Sequence, residues 1–192
     1  MPNQTNDKID PRSLRLVWID CEMTGLDVNT KHLLEVACII TEGDPSLKIV
    51  AKGPNLIIHQ SEKVLDKMDE WSAIKHGEVN SGLTEEVRKS TLTVDEAEEQ
   101  LLQFVKCHVP EQTCPLAGNT CSQDRAFLKK YMPRLVDHLH HRNVDVSSFK
   151  EMCRYSLNLK NICFRAMDDI EGSREEMLHY IKHLFPNTND SF

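Results

Sequence analysis

A chain of 192 residues, 40% hydrophobic and 28% charged, is long enough to bury one full core without disulfide or metal staples. Its formal net charge of −7 argues against a protein that coats long duplex nucleic acid, since that affinity comes from neutralising many phosphates, but it leaves short substrates open. Seven cysteines, an odd number with no Cys-x-x-Cys pair, suit reduced thiols inside a cell rather than disulfides or a structural zinc.

In chain order, residues 1–13 read as a flexible leader with neither an apolar signal core nor an Arg-rich presequence. No later run approaches a membrane span. The expectation is a soluble intracellular chain with no membrane partner, cytoplasmic as given, or mitochondrial should a presequence precede it. A single domain is expected over 14–185, with a tail at 186–192. Leu14 to Asp20, His32 to Ile40 and the stretch from Leu47 to Ile58 are apolar runs of strand length. Gly43-Asp-Pro45 marks a turn, so the second and third strands should be antiparallel.

From Asp66 the pattern turns helical. Val64, Leu65, Met68, Trp71 and Ile74 recur near helical spacing, and Thr93 with Glu96 forms a capping signature for a helix over about 93–107. Pro115 to Gly118 reads as a short buried strand, Ser122 to Lys130 as a helix, and Asn143 to Val146 as another brief strand. Ser147 or Ser148 could cap the helix that follows. The last helix is predicted over about 164–185, with Met167, Ile170, Met177, Ile181 and Leu184 as its core stripe. A strand meander followed by alternating helices and short strands implies an α/β fold: a mixed β-sheet flanked by helices.

Four acids stand where strands end or helices begin: Asp20, Glu22, Asp124 and Asp169. Asp20 and Glu22, two apart on a strand, project from one face and repel unless a cation lies between them. Such hard oxygen donors select Mg²⁺ or Mn²⁺, and two ions about 3.5–4 Å apart can activate water and steady a leaving oxygen in phosphodiester hydrolysis. Solvated turn acids are the plainer reading of the isolated pair. Asp168 and Asp169 both suit a helix N-terminus, but adjacent helix positions diverge by about 100°, and Asp169, beside Ala166 and Ile170, is better placed to join the cluster. Arg125, Lys129, Lys130, Arg134 and Arg142, with His138, His140 and His141, form a basic stretch that reads either as an anion-facing surface or as a solvated helix face.

Trp18-Ile-Asp-Cys-Glu-Met-Thr-Gly-Leu-Asp27, Gly53-Pro-Asn-Leu-Ile-Ile58, Ser81-Gly-Leu-Thr84, Cys114-Pro-Leu-Ala-Gly-Asn119, Asp124-Arg-Ala-Phe-Leu-Lys-Lys-Tyr-Met-Pro133, Asp145-Val-Ser147 and Arg165-Ala-Met-Asp-Asp-Ile170 together resemble the oligoribonuclease family of 3′–5′ exonucleases. The resemblance spans about 14–185. It implies a ribonuclease H-like fold, a homodimer, short oligoribonucleotides as substrate, and Asp20, Glu22, Asp124 and Asp169 as ligands of two ions. It further implies Leu26 as a wedge against the bases, Trp71 and His76 as pocket lining, Thr120 in the place of a serine, and Arg142 and Ser147 as caps on the terminal phosphate. Ordinary loop packing for Leu26, a core stripe for Trp71 and a turn position for His76 are the plain alternatives.

Two positions depart from that family, and Cys121-Ser-Gln123 is an imperfect match to it as well. Its histidine base, five residues before the last aspartate, is here Phe164, after a 155–163 stretch that differs from the family's. The tyrosine that reaches the partner's site is replaced by His141, a candidate base in trans, since imidazole titrates near neutrality. Losing a general base typically costs about 10²–10⁴ in rate, so hydrolysis is expected to be impaired. A catalytically silent homodimer that binds short oligonucleotides is the alternative.

Overall fold

The computed structural model describes residues 10–77, 79–152 and 165–184. Phe164, the 155–163 stretch, residues 1–9 of the leader and the 186–192 tail lie outside the described residues. Residues 11–14, at the end of the leader, form a 3-10 turn capped by Asp10.

The elements are β1 (Leu16–Met23), β2 (Leu33–Thr41), β3 (Ile49–Ile57), α1 (Glu62–Leu65), α2 (Glu70–His76), α3 (Leu83–Lys89), α4 (Val94–His108), β4 (Pro115–Gly118), α5 (Cys121–Tyr131), α6 (Pro133–His138), β5 (His140–Asp145), α7 (Val146–Met152) and α8 (Ala166–Leu184). The sheet order is β3-β2-β1-β4-β5. β1, β2 and β3 form an antiparallel meander, while β4 runs parallel to both β1 and β5. The parallel β4–β5 pair needs a crossover, and α5 and α6 supply it. This is the mixed sheet expected from the sequence, flanked by helices.

The period-2 alternation of β1 decides which side chain meets which helix. Val17, Ile19 and Cys21 join Leu101, Val105, Phe127 and Leu128 of α4 and α5 in one core. Trp18, two residues before Asp20, packs on the opposite face with Ala37, Ile39, Ala166, Ile170 and Tyr180. Asp20 and Glu22 therefore lie on the α8 side of the sheet. β2 is buried at every position because helices cover both its faces, which is why it reads as an unbroken apolar run.

Several expected details change. The Val64–Ile74 stripe is not one helix: Asp69 is extended at φ −64°, ψ 147°, its N–H donates to the Thr24 carbonyl at 3.0 Å, and its carboxylate pairs with Lys31. Pinning Asp69 to the 24–31 loop resets the helical phase. Leu65 still packs with Leu34, Leu83 and Val87, but Trp71 and Ile74 face solvent. Gly25 makes the pinning possible, since a Cβ there would lie 2.0 Å from Asp69 Oδ2, and its φ of +151° disfavours other residues.

β5 begins at His140, where its N–H donates to the Cys114 carbonyl at 2.9 Å, so it is longer than expected. Ser147 is not a helix cap, because α7 already starts at Val146; Asp145 Oδ1 accepts from the Ser147 N–H instead, at 3.0 Å. On α8, Tyr180 is buried and Leu184 is exposed. Thr93 and Glu96 form the expected capping box on α4.

Candidate metal centre and substrate face

Asp20 and Glu22 on β1 meet Asp169, in the first turn of α8, with one carboxylate oxygen from each lying within 4.8 Å of the other two. α8 packs on the face to which Trp18, Asp20 and Glu22 all point, which brings a residue nearly 150 positions away into the pair. Asp168, one residue earlier, is exposed. The β1–β2 register breaks between Glu22 and Met23, a bulge of the kind that re-aims side chains beside active sites.

Asp124 arrives from the other side of the sheet. Paired residues of β1 and β4 end at Trp18 and Ala117, so β1 outruns its parallel neighbour, and the Cys21 N–H donates to Asp124 Oδ1 at 3.0 Å. Asp124 is buried and its charge acts on Asp20, but it is not one of the three acids that converge most closely.

Burial pushes Asp20 well above the ordinary carboxylate range, and the neighbouring charges of Asp124 and Glu22 add to it. Burial likewise raises Glu22 to about 7, against the pull of Lys75, Asp124 to about 7 and Asp169 to about 6. Glu22 Oε1 is buried with no hydrogen-bond partner among the described residues. A buried, unpaired carboxylate oxygen is costly, and an all-oxygen donor set of this kind fits a hard divalent cation.

His76 is 1% exposed. Its Nε2 lies 3.2 Å from the Met23 carbonyl and 3.6 Å from Glu22 Oε2. Burial, then the charge of Lys75, holds its pKa down to about 4, so it supports the floor of the site as a neutral ring. Leu26 and Trp71 are 65% and 62% exposed; neither is buried as the plain readings require. The Leu26 carbonyl is anchored by Gln123 Nε2 at 2.6 Å, next to Asp124 in sequence.

Thr120, at φ 53°, and Ser147 form a ladder. The Thr120 N–H donates to Ser147 Oγ at 2.7 Å, the two hydroxyls are 2.9 Å apart, and Ser147 Oγ donates to Asn119 Oδ1 at 3.1 Å. Arg142 and His141 are exposed on the edge strand β5, with the His141 ring 4.2 Å from that of His140. Within its own chain His141 is not part of the carboxylate cluster. Much of the basic stretch is engaged internally: Arg125 with Asn143 and the His140 carbonyl, Lys130 with the Val28 carbonyl, and Arg134 with Glu98 and Glu99.

Motif reading does not single out Lys75, Glu35 or Gln123. Lys75 Nζ lies 2.8 Å from Glu22 Oε2; its signal in the sequence is its i+4 spacing from Trp71. Glu35 is fully buried opposite Glu22, where it accepts from the Arg165 guanidinium at 2.8 Å and from the Ala166 N–H at 3.3 Å. An acid inside an apolar strand is the only trace it leaves.

Residues 17–179 match the family model described as Exonuclease, of the RNase T type. The chain is 47% identical over 189 residues to a probable oligoribonuclease of Dictyostelium discoideum, covering 96% of this chain and 97% of that one. It is 45% identical to the mitochondrial oligoribonuclease of Homo sapiens, covering 92% and 76%. To an oligoribonuclease of Pseudomonas savastanoi it is 47% identical, covering 88% and 95%. Among solved structures it is similar to E. coli exonuclease I in complex with a dT13 oligonucleotide, with a TM-score of 0.68 at 12% identity. That similarity covers 92% of this chain and 42% of exonuclease I, and it speaks for the fold alone.

Proposed function

Since the chain belongs to the RNase T exonuclease family and is a 3′–5′ exoribonuclease of the oligoribonuclease type, we propose that it cuts very short oligoribonucleotides to 5′-mononucleotides. The observation that carries the reading is the convergence of Asp20, Glu22 and Asp169 within 4.8 Å, with one Glu22 oxygen buried and without a hydrogen-bond partner among the described residues. We assign Asp20, Glu22, Asp124 and Asp169 as holders of two divalent ions, Mg²⁺ or Mn²⁺. Ions held by these carboxylates would supply activation of a water and stabilisation of the leaving oxygen.

The chain's own residues bind and orient. Leu26 and Trp71 offer exposed apolar faces to the bases, one on a loop tied to α5 through Gln123. Thr120, Ser147 and Arg142 present hydroxyls and a guanidinium suited to a terminal phosphate. His76 supports Glu22 and the turn at Met23 from behind. His141 is assigned to the site of the partner subunit in a homodimer, where its imidazole can take a proton that a tyrosine would not.

The test is release of mononucleotides from a labelled ribodinucleotide by the purified chain, with Mg²⁺ or Mn²⁺ and with chelator. Metal-dependent release, faster than from the matching deoxydinucleotide, is the expected result; release that ignores the chelator overturns the metal assignment. Phe164 in place of a histidine favours a second reading, a catalytically silent homodimer that binds short oligonucleotides. That reading gains if the dinucleotide binds without turnover, and sedimentation as a monomer at micromolar concentration removes both the dimer and the base in trans.

A further inference from the structure

Lys75 covers two places that the proposed activity needs. Its Nζ lies 2.8 Å from Glu22 Oε2, on the carboxylate whose other oxygen is buried without a partner among the described residues, and 5.2 Å from the centroid of the Trp71 ring. Trp71 is exposed on its remaining surface, whereas the Lys75 side chain is only 14% exposed. The last turn of α2 sets this geometry, since positions 71 and 75 share one helix face. The Lys75 ammonium is thus a counter-charge within hydrogen-bond reach of Glu22, one of the three carboxylates that converge within 4.8 Å.

A divalent ion on Glu22 repels an ammonium a few ångströms away, strongly so where water is scarce, and a base stacking on the Trp71 face that the ammonium covers would compete with it for that face. The lysine stem is flexible, and its ammonium is a compact charge that can move to another anion. The anion that arrives with a stacked nucleotide is its phosphate.

We propose that Lys75 is an internal stand-in for metal and substrate, seated on Glu22 and Trp71 in the metal-free chain and displaced on loading to pair with a phosphate of the bound oligonucleotide. Lys75 thereby weakens metal binding to the free chain and strengthens substrate binding to the loaded one. The proposal rests on the assignment of Glu22 to metal and Trp71 to substrate, and its test separates the two.

Isothermal titration of Mn²⁺ into the full chain, without substrate, compares wild type with Lys75→Met and Lys75→Arg. The expected result is about tenfold tighter Mn²⁺ binding for Lys75→Met, of the size usual for coupled sites, with Lys75→Arg close to wild type. Binding of a phosphorothioate-linked ribodinucleotide in Mn²⁺ should weaken about tenfold in Lys75→Met, while a neutral methylphosphonate-linked one should lose nothing. Unchanged Mn²⁺ affinity overturns the stand-in role, and equal losses for the two dinucleotides overturn the phosphate contact. Both shifts in a chain that never hydrolyses RNA would sustain the lysine's role and sink the enzymatic one. If Lys75→Met fails to fold, Lys75→Gln carries the same comparison.

Discussion

Asp169 joins the carboxylate cluster because it occupies the first turn of a helix lying on the Asp20 face of the sheet; its neighbour Asp168 is exposed. Asp169→Asn keeps the shape and removes an anionic donor. Its loss of Mn²⁺ affinity and turnover should exceed the roughly 10–100-fold that even outer-shell partners of a metal cost, whereas Asp168→Asn should change either by less than about threefold. Equal losses in the two variants would mean the wrong aspartate has been assigned. Position 164 carries the other residue-scale prediction. A phenylalanine cannot accept a proton from water, so Phe164→His should raise Mn²⁺-dependent dinucleotide hydrolysis by about 10²-fold while leaving KM near its starting value. No gain in kcat would argue that the base is supplied elsewhere, and His141→Ala would then be the variant to measure.

At the scale of elements, α8 is held to the sheet by an ion-pair clamp. Arg165, just ahead of the helix, donates to Glu35 and to Glu86 of α3, while Glu35 also accepts from the first N–H of α8 and from Asn55 Nδ2. Removing the guanidinium strands a fully buried carboxylate, so Arg165→Met should destabilise the chain by on the order of 3 kcal/mol in urea unfolding and weaken metal binding through Asp169. Restoring part of that loss with Glu35→Gln in the same chain would identify the stranded charge as the cause; a single-variant loss below about 0.5 kcal/mol would refute the clamp. The elements themselves were largely legible. Apolar runs of strand length mark β1 and β2, the Thr93–Glu96 capping box marks α4, and the Asp-x-Glu spacing places Asp20 and Glu22 on one face. The rest depended on contacts between distant parts of the chain. Nothing local signals that Asp69 is pinned to the 24–31 loop, splitting one apparent stripe into α1 and α2 and turning Trp71 outward, or that Glu35 pairs with a residue 130 positions away. Lys75 is illegible for a related reason: its meaning lies in Glu22, which faces it from β1.

The whole molecule brings acids from both sides of the sheet to one end of β1, and burying them together has a cost that depends on pH. Glu22 and Asp124 are raised to about 7 and Asp169 to about 6, in each case chiefly by burial. A carboxyl whose folded pKa exceeds its unfolded value favours folding fully below the unfolded pKa, and that stabilisation is lost as pH rises through the folded pKa. These acids therefore destabilise the metal-free chain progressively up to about pH 8. Below pH 6.5 the trend is opposed by His76, whose pKa is lowered to about 4, since the unfolded chain then binds the proton that the buried ring refuses. The informative window is thus pH 6.5 to 8. The thermal midpoint of the chelator-treated protein should fall across it, and should fall less in Glu22→Gln, which cannot ionise. Divalent ions bind the deprotonated carboxylates, so metal binding is linked to proton release and stabilises the folded state by mass action. Saturating Mn²⁺ should therefore raise the midpoint more at pH 8 than at pH 6.5, and hardly at all in Asp20→Asn. A metal-induced shift of equal size at both pH values would show that the ions bind somewhere other than this cluster.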